Sequence, residues 1–213
     1  MAMNFEFILG LDCETTGVCV KNNDPLYNKK TKEKHQALSW GFLVIDALTY
    51  KVIEKLYLEV KWNEESIQQK EKDPEFGQYA VNIHGLSQDY LDVNGVDEEE
   101  AVRQIANLII KYWGTSSPLN CLGHNVHFDI RFLQDVFERH ELTLRFSQRH
   151  VDSFSLAHPL WNAHNSDELF NLLVGTERKD HNALEDIEMT LESIKVTRDL
   201  FTKFLSENNI ERL

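Results

Sequence analysis

The chain has 213 residues, 42% of them hydrophobic, and 35 acidic against 22 basic side chains give it a formal net charge of −13 at pH 7. A chain of this length buries roughly 70% of the surface its unfolded form exposes, so residues 1–213 are expected to form one domain that needs no disulfide or structural metal; Cys13, Cys19 and Cys121 contain no C-x-x-C pair. No apolar run approaches the ~20 residues that cross a bilayer, and no basic region leads into a signal-type segment, which predicts a cytoplasmic protein with no membrane partner.

Residues 5–11 (FEFILGL) are an apolar run ending at Asp12 and then Thr15-Thr16-Gly17, which predicts a buried strand stopped by a turn. The following loop, 18–37, is longer than compact domains usually keep without a use. Within it, residues 21–35 hold Lys21, Lys29, Lys30, Lys32 and Lys34 against Asp24 and Glu33, a local +3 that leaves −16 on the rest of the chain. Overall acidity argues against a phosphate-bearing partner. That argument is weakened by the local basic stretch and by the field that bound cations can supply.

Residues 37–46 (ALSWGFLVID) and 51–60 (KVIEKLYLEV) predict two strands joined by a short turn and pairing antiparallel with the first. From Asp97 the period becomes helical: Asp97 as N-cap, Glu98, Glu99 and Glu100 in the first turn, Val102, Ile105 and Ile109 on one stripe, and Gly114 as terminator. NCLGHN (120–125) reads as a buried strand, and FDIRFLQDVFERH (128–140) as a helix with Phe132, Leu133, Val136 and Phe137 facing the core. Residues 150–156 read as the last strand, and the segment from Asn182 as a long helix with Ile187, Leu191, Ile194 and Leu200 on one stripe. Strands followed by interleaved helices and strands predict an α/β or α+β domain with a mixed sheet.

Asp12 and Glu14 stand two apart on the first strand, so their side chains share a face and suit a hard divalent cation. Spacing alone proves little, since D-x-E recurs at Asp73/Glu75, Asp97/Glu99 and Asp186/Glu188. What sets the first pair apart is its place on a buried apolar strand, where carboxylates need a partner. Asp129 lies near the start of a helix, where its plain reading is a charge on the helix dipole. In RKDHNALEDIEMT (178–190), Asn182 as N-cap with Glu185 three residues on leaves His181 outside the helix and directs Asp186 back toward the same end. His124 and His127 have no third ligand at a zinc spacing, so they read as hydrogen-bonding groups, and Trp161 reads as a packed aromatic. Neither a G-x-S-x-G nor a P-loop is present.

LGLDCETTG (9–17), GHNVHFD (123–129) and HNALED (181–186) resemble the three exonuclease motifs of the DEDDh superfamily, the DnaQ-like and RNase T-like 3′-5′ exonucleases. NIHGLSQDYL (82–91) is similar to that family's H-G-[IL]-[ST] segment and VDSFSLAHPL (151–160) to its D-[ST]-x-x-L-A strand, so five segments in order span residues 7–190. The resemblance implies an RNase H-like fold, a central mixed five-stranded sheet flanked by helices, and hydrolysis of single-stranded 3′ ends of DNA or RNA to nucleoside 5′-monophosphates. It also implies two Mg²⁺ or Mn²⁺ ions, with Asp12 bridging them, Glu14 and Asp186 on the catalytic ion, Asp129 on the second, and His181 accepting the proton of the attacking water. Two ions ~4 Å apart stabilise both the attacking and the leaving oxygen, and a histidine with a pKa near ~6.5 suits a general base. Thr15, Thr16, His84 and Phe128 match positions that contact the terminal nucleotide, Phe128 offering a ring for base stacking. The long lysine-rich loop departs from the family pattern and reads equally as a substrate clamp and as a solvated surface loop. The competing reading is a nuclease-fold proofreading or accessory subunit acting by binding a polymerase, and the resemblance allows monomers and homodimers alike.

Overall fold

Alternation along the first strand decides how the layers stack. In the computed structural model, which describes residues 6–19, 34–176, 178 and 181–210, Leu9, Leu11 and Cys13 of β1 (Phe7–Thr15) point to one face of the sheet and Ile8 to the other. The first face, continued by Trp40, Phe42 and Val44 of β2 (Ala37–Asp46), is covered by α4 (Glu98–Trp113) and α5 (Val126–Arg139). Ile8, with Leu43 and Ile45, meets Ile187, Leu191 and Ile194 of α8 (Ala183–Glu207) on the second face. Being buried on both sides is why the first strand reads as a continuous apolar run.

The remaining elements are β3 (Val52–Glu59), α1 (Glu64–Lys72), α2 (Gln78–His84), α3 (Gln88–Asn94), β4 (Cys121–Gly123), β5 (Val151–Asp152), α6 (Ser153–Trp161) and α7 (Ser166–Val174). The sheet order is β3-β2-β1-β4-β5, with β2 antiparallel to β1 and β3, and with β4 parallel to β1 and β5. This is the mixed five-stranded sheet expected from the sequence, with helices on both faces. Among the described residues no helix is long and apolar enough to cross a membrane.

Several boundaries differ from expectation, each for a local reason. The first strand runs on past Asp12 to Thr15, because β2 continues the ladder with Asp12 opposite Gly41, Cys13 opposite Trp40 and Glu14 opposite Ser39. Both acids therefore sit within the sheet, on one face of the strand as expected. The strand expected over 120–125 is cut to Cys121–Gly123: Asn125 adopts a left-handed φ of 59°, and α5 starts at Val126, two residues before the expected position. The strand expected over 150–156 ends after two residues, because the Asp152 carboxylate accepts the Phe154 N–H at 3.2 Å and the Ser155 hydroxyl at 2.8 Å and opens α6. Leu200 is 48% exposed instead of buried, lying about 9 Å along α8 from Ile194. Residues 20–33, which carry most of the 18–37 loop, lie outside the described residues.

Gly41 makes the second face possible. A Cβ there would lie 2.2 Å from the Ala183 carbonyl oxygen and 2.5 Å from the Leu184 amide nitrogen. Only a bare backbone lets the first turn of α8 rest on β2 directly beside Asp12. Gly41→Ala is expected to cost about 1–3 kcal/mol through overpacking and to push α8 off the sheet. Denaturant melting checks it, and an unchanged midpoint would show that α8 is not seated on Gly41.

Candidate active site

The α8 face of β1 turns polar at its last positions. Asp12 and Glu14 stand there, one pleat apart, and α8 brings its own acid to the same place. The α8 cap forms as the sequence indicated: the Asn182 Oδ1 accepts the N–H groups of Leu184 at 3.0 Å and Glu185 at 3.2 Å. Asp186 thus falls in the first turns, 5% exposed, and His181 stays outside the helix. His181 Nδ1 lies 3.9 Å from Glu14 Oε1 and 4.0 Å from Asp186 Oδ2. Donor atoms of Glu14, His181 and Asp186 all lie within 4.8 Å of one another.

Asp129 arrives from the other side. The β1–β4 pairing involves Leu9 and Gly10 only, and further along β1 the Cys13 N–H donates to Asp129 Oδ1 at 3.0 Å. That bond holds the 2%-exposed carboxylate beside Asp12, while its place in the first turn of α5 also satisfies the dipole reading. One cavity of about 210 Å³ is lined by Asp12, Glu14, Asp129, His181 and Asp186 together with His124, Phe128 and Arg178. A larger cavity of about 300 Å³, lined by Ile109, Phe137 and Leu142 among others, has no carboxylate or imidazole in its wall and offers nothing for hydrolysis.

Burial raises every acid of the group, and repulsion from neighbouring acids adds to it. Desolvation first, and then Asp186, push Glu14 up to about 7. Desolvation carries Asp129 to about 8 against the opposing Cys13 hydrogen bond. Desolvation lifts Asp186 to about 6 although Arg178 opposes it. Asp12 is raised well above the carboxylate range by burial and then by Asp129, Asp186 and Glu14 in turn. His181 moves the other way, lowered by burial and then by the nearby Arg178, so the imidazole is neutral at pH 7 and can accept a proton.

These residues fit a divalent cation. Clustered carboxylate oxygens are the donor set of hard divalent ions, and Asp186 Oδ1 is buried without a hydrogen-bond partner. Four acids that resist ionisation together are relieved most directly by positive charge between them.

One residue of the cavity went unread in the sequence. Arg178 donates from Nη1 to Asp186 Oδ2 at 2.8 Å, pairs through Nη2 with Asp167 at 2.7 Å, and lies 5.9 Å over the Phe170 ring. It stood within the quoted 178–190 segment, but a single arginine between two helices has no period or cap to mark it.

The expected nucleotide contacts divide. Phe128 lines the cavity, half-buried, with the Arg131 guanidinium 5.8 Å from its ring. Thr15, Thr16 and His84 do not line it; they secure the end of β1. The Thr15 hydroxyl donates to the Gly17 carbonyl at 2.6 Å, and the Thr16 hydroxyl accepts the Gln36 N–H at 3.1 Å. His84 Nδ1 accepts the Leu86 N–H at 3.1 Å, which leaves Nε2–H to donate to the Thr15 carbonyl at 3.1 Å. His124 is hydrogen-bonded as expected, Nδ1 to Ser153 Oγ at 2.8 Å, and Trp161 packs against Ala157, Ala163 and Leu169.

No curated protein matches the chain. Exonuclease I of E. coli in complex with a dT13 oligonucleotide superposes with a TM-score of 0.65 at 17% identity, over 94% of this chain and 43% of that one. The zinc-bound form of the E. coli exonuclease I complex with single-stranded DNA gives 0.65 at 18% identity, over 96% and 43%. The nuclease domain of 3′hExo, a DEDDh family member bound to rAMP, gives 0.55 at 12% identity, over 100% of this chain and 98% of that one. The chain therefore spans less than half of the exonuclease I chains it resembles. At such identities the likeness carries the fold, which is RNase H-like. The sequence profile of the RNase T family, described as exonuclease, matches residues 9–194, a span that contains all four acids and His181, and the chain belongs to that family.

Proposed function

We propose that this chain is a divalent-metal-dependent 3′-to-5′ exonuclease that releases nucleoside 5′-monophosphates from single-stranded ends. The observation that carries the reading is the convergence of Asp12, Glu14, Asp129, Asp186 and His181 on one cavity from β1, α5, α8 and the loop before α8. Two Mg²⁺ or Mn²⁺ ions held by the four acids would activate water and stabilise the leaving 3′ oxygen. Asp12 is the acid on which the charges of Asp129, Asp186 and Glu14 all act, the position expected of a shared ligand. His181, neutral and 34% exposed, accepts the proton of the attacking water and passes it to solvent. Phe128 gives the terminal base a stacking surface, and Thr15, Thr16 and His84 hold the strand end on which the nucleotide rests.

The oligonucleotide and rAMP bound to the solved relatives support a single-stranded substrate and leave DNA and RNA both open. The test is incubation of a 5′-labelled oligonucleotide bearing an unpaired 3′ end with protein and Mg²⁺ or Mn²⁺. A ladder shortening from the 3′ end and abolished by chelator is expected; no ladder on DNA or RNA would overturn the reading. His181→Asn is expected to slow cleavage about 10²-fold or more while leaving metal-induced stabilisation in place, since it removes the proton acceptor but none of the carboxylates. Single-turnover cleavage together with a Mn²⁺ melting series checks both halves.

A further inference from the structure

We propose that Arg178 is a built-in counter-ion that competes with divalent metal for Asp186 and, once displaced, becomes the cation that pairs with a phosphate of the substrate strand. The inference rests on the metal-site reading above and deepens it.

The Arg178 side chain is 9% exposed and that of Asp186 6%, so their 2.8 Å contact is a buried, charge-assisted hydrogen bond on a carboxylate proposed to bind metal. The other oxygen of that carboxylate, Oδ1, is buried without a partner, and a dication seated on it would face the guanidinium across a single carboxylate, where like charges repel strongly because water is scarce. The structure also provides the place to which the guanidinium withdraws. Nη2 is paired with Asp167, a 63%-exposed acid in the first turn of α7, and lies 3.4 Å from Ser166 Oγ. Nε is buried with no hydrogen-bond partner, so the side chain has donor capacity to spare. Arg178 is thus hung between a buried carboxylate and a solvent-facing one, in the short connection from α7 to His181.

Arg178 lines the cavity together with Ser166 and Phe170, so a guanidinium withdrawn toward Asp167 would remain at that wall. A phosphodiester entering there is the anion it would meet, and the planar fork of arginine donors matches phosphate oxygens. The arrangement makes metal and substrate binding cooperative: metal frees the cation that the strand needs, and by reciprocity the strand strengthens metal binding.

The test uses the whole chain. Mn²⁺ affinity is measured by calorimetry for the wild type, Arg178→Gln, Arg178→Lys and Asp186→Asn. Binding of a phosphorothioate-protected single-stranded oligonucleotide is then measured at saturating Ca²⁺. Loss of one charge-assisted bond to Asp186 is expected to tighten Mn²⁺ about tenfold in Arg178→Gln. Oligonucleotide affinity is expected to fall in the same variant. Arg178→Lys, which keeps the charge but loses the fork, should bind Mn²⁺ close to the wild-type affinity and keeps the test open if the glutamine variant does not fold. Unchanged or weaker Mn²⁺ binding in Arg178→Gln would overturn the competition, and unchanged oligonucleotide affinity would overturn the phosphate role. If the wild type binds no Mn²⁺, or if Asp186→Asn binds it equally well, the metal-site reading itself fails, a result distinct from either.

Discussion

Asp12→Asn is expected to reduce cleavage by on the order of 10³-fold or more, since losing the acid we propose to be shared by two ions would remove several kcal/mol of transition-state stabilisation at about 1.36 kcal/mol per tenfold. The same substitution should make the metal-free protein more stable. Asp12 is raised by burial and then by the charges of Asp129, Asp186 and Glu14, so an ionised carboxylate there is a cost to the folded state that an amide does not carry. Loss of activity joined to a gain in melting temperature distinguishes a functional acid from a structural one, whose removal would lower both. Measuring the oligonucleotide ladder and the melting temperature of the chelator-treated protein on the same preparation decides the matter. A persistent ladder would remove Asp12 from the site.

The second large effect concerns pH. In the folded chain Glu14 titrates near about 7, Asp129 near about 8 and Asp186 near about 6, against ordinary values of 4.5, 3.8 and 3.8. Between those limits the folded state holds more protons than the unfolded one, so metal-free stability falls as pH rises from about 4 through about 8, and the raised Asp12 adds to the fall. This is the reverse of a salt-bridged carboxylate, whose stabilisation is lost on acidification. Divalent metal should remove the slope by replacing the protons. Saturation at ~100 Kd adds about 2.7 kcal/mol, roughly 5 to 10 °C in melting temperature for a domain of this size. The metal-induced shift should be larger at pH 8 than at pH 5.5, where protons compete for the same oxygens. Melting curves with chelator and with Mn²⁺ across that range test it, and a chelated melting temperature that does not fall between pH 5.5 and 8 would mean that the acids do not share a buried site.

Much of the site was legible because short-range rules placed it. Period-two alternation put Asp12 and Glu14 on one face, and the Asn182 cap left His181 outside α8 and Asp186 in its first turns. The long periodic helices α4 and α8 were equally plain. The short elements were not: β4 has three residues and β5 two, and neither carries enough alternation to be bounded. The helices α1 to α3 and α7 bury few residues each, so their apolar stripes are weak. Leu200 fitted the α8 stripe by spacing, yet nothing told the sequence where the sheet beneath it ends.

By itself, then, the sequence determined which acids and which histidine stand at strand ends and helix caps, since capping and periodicity act within a few residues of the chain. Only the tertiary structure decided that the Asp129 carboxylate meets the Cys13 N–H across 116 residues, that Gly41 admits α8 beside Asp12, and that Arg178 reaches Asp186. Those contacts set the charge state of the site, because burial and the distance between charges depend on how remote segments pack, and no local pattern encodes them.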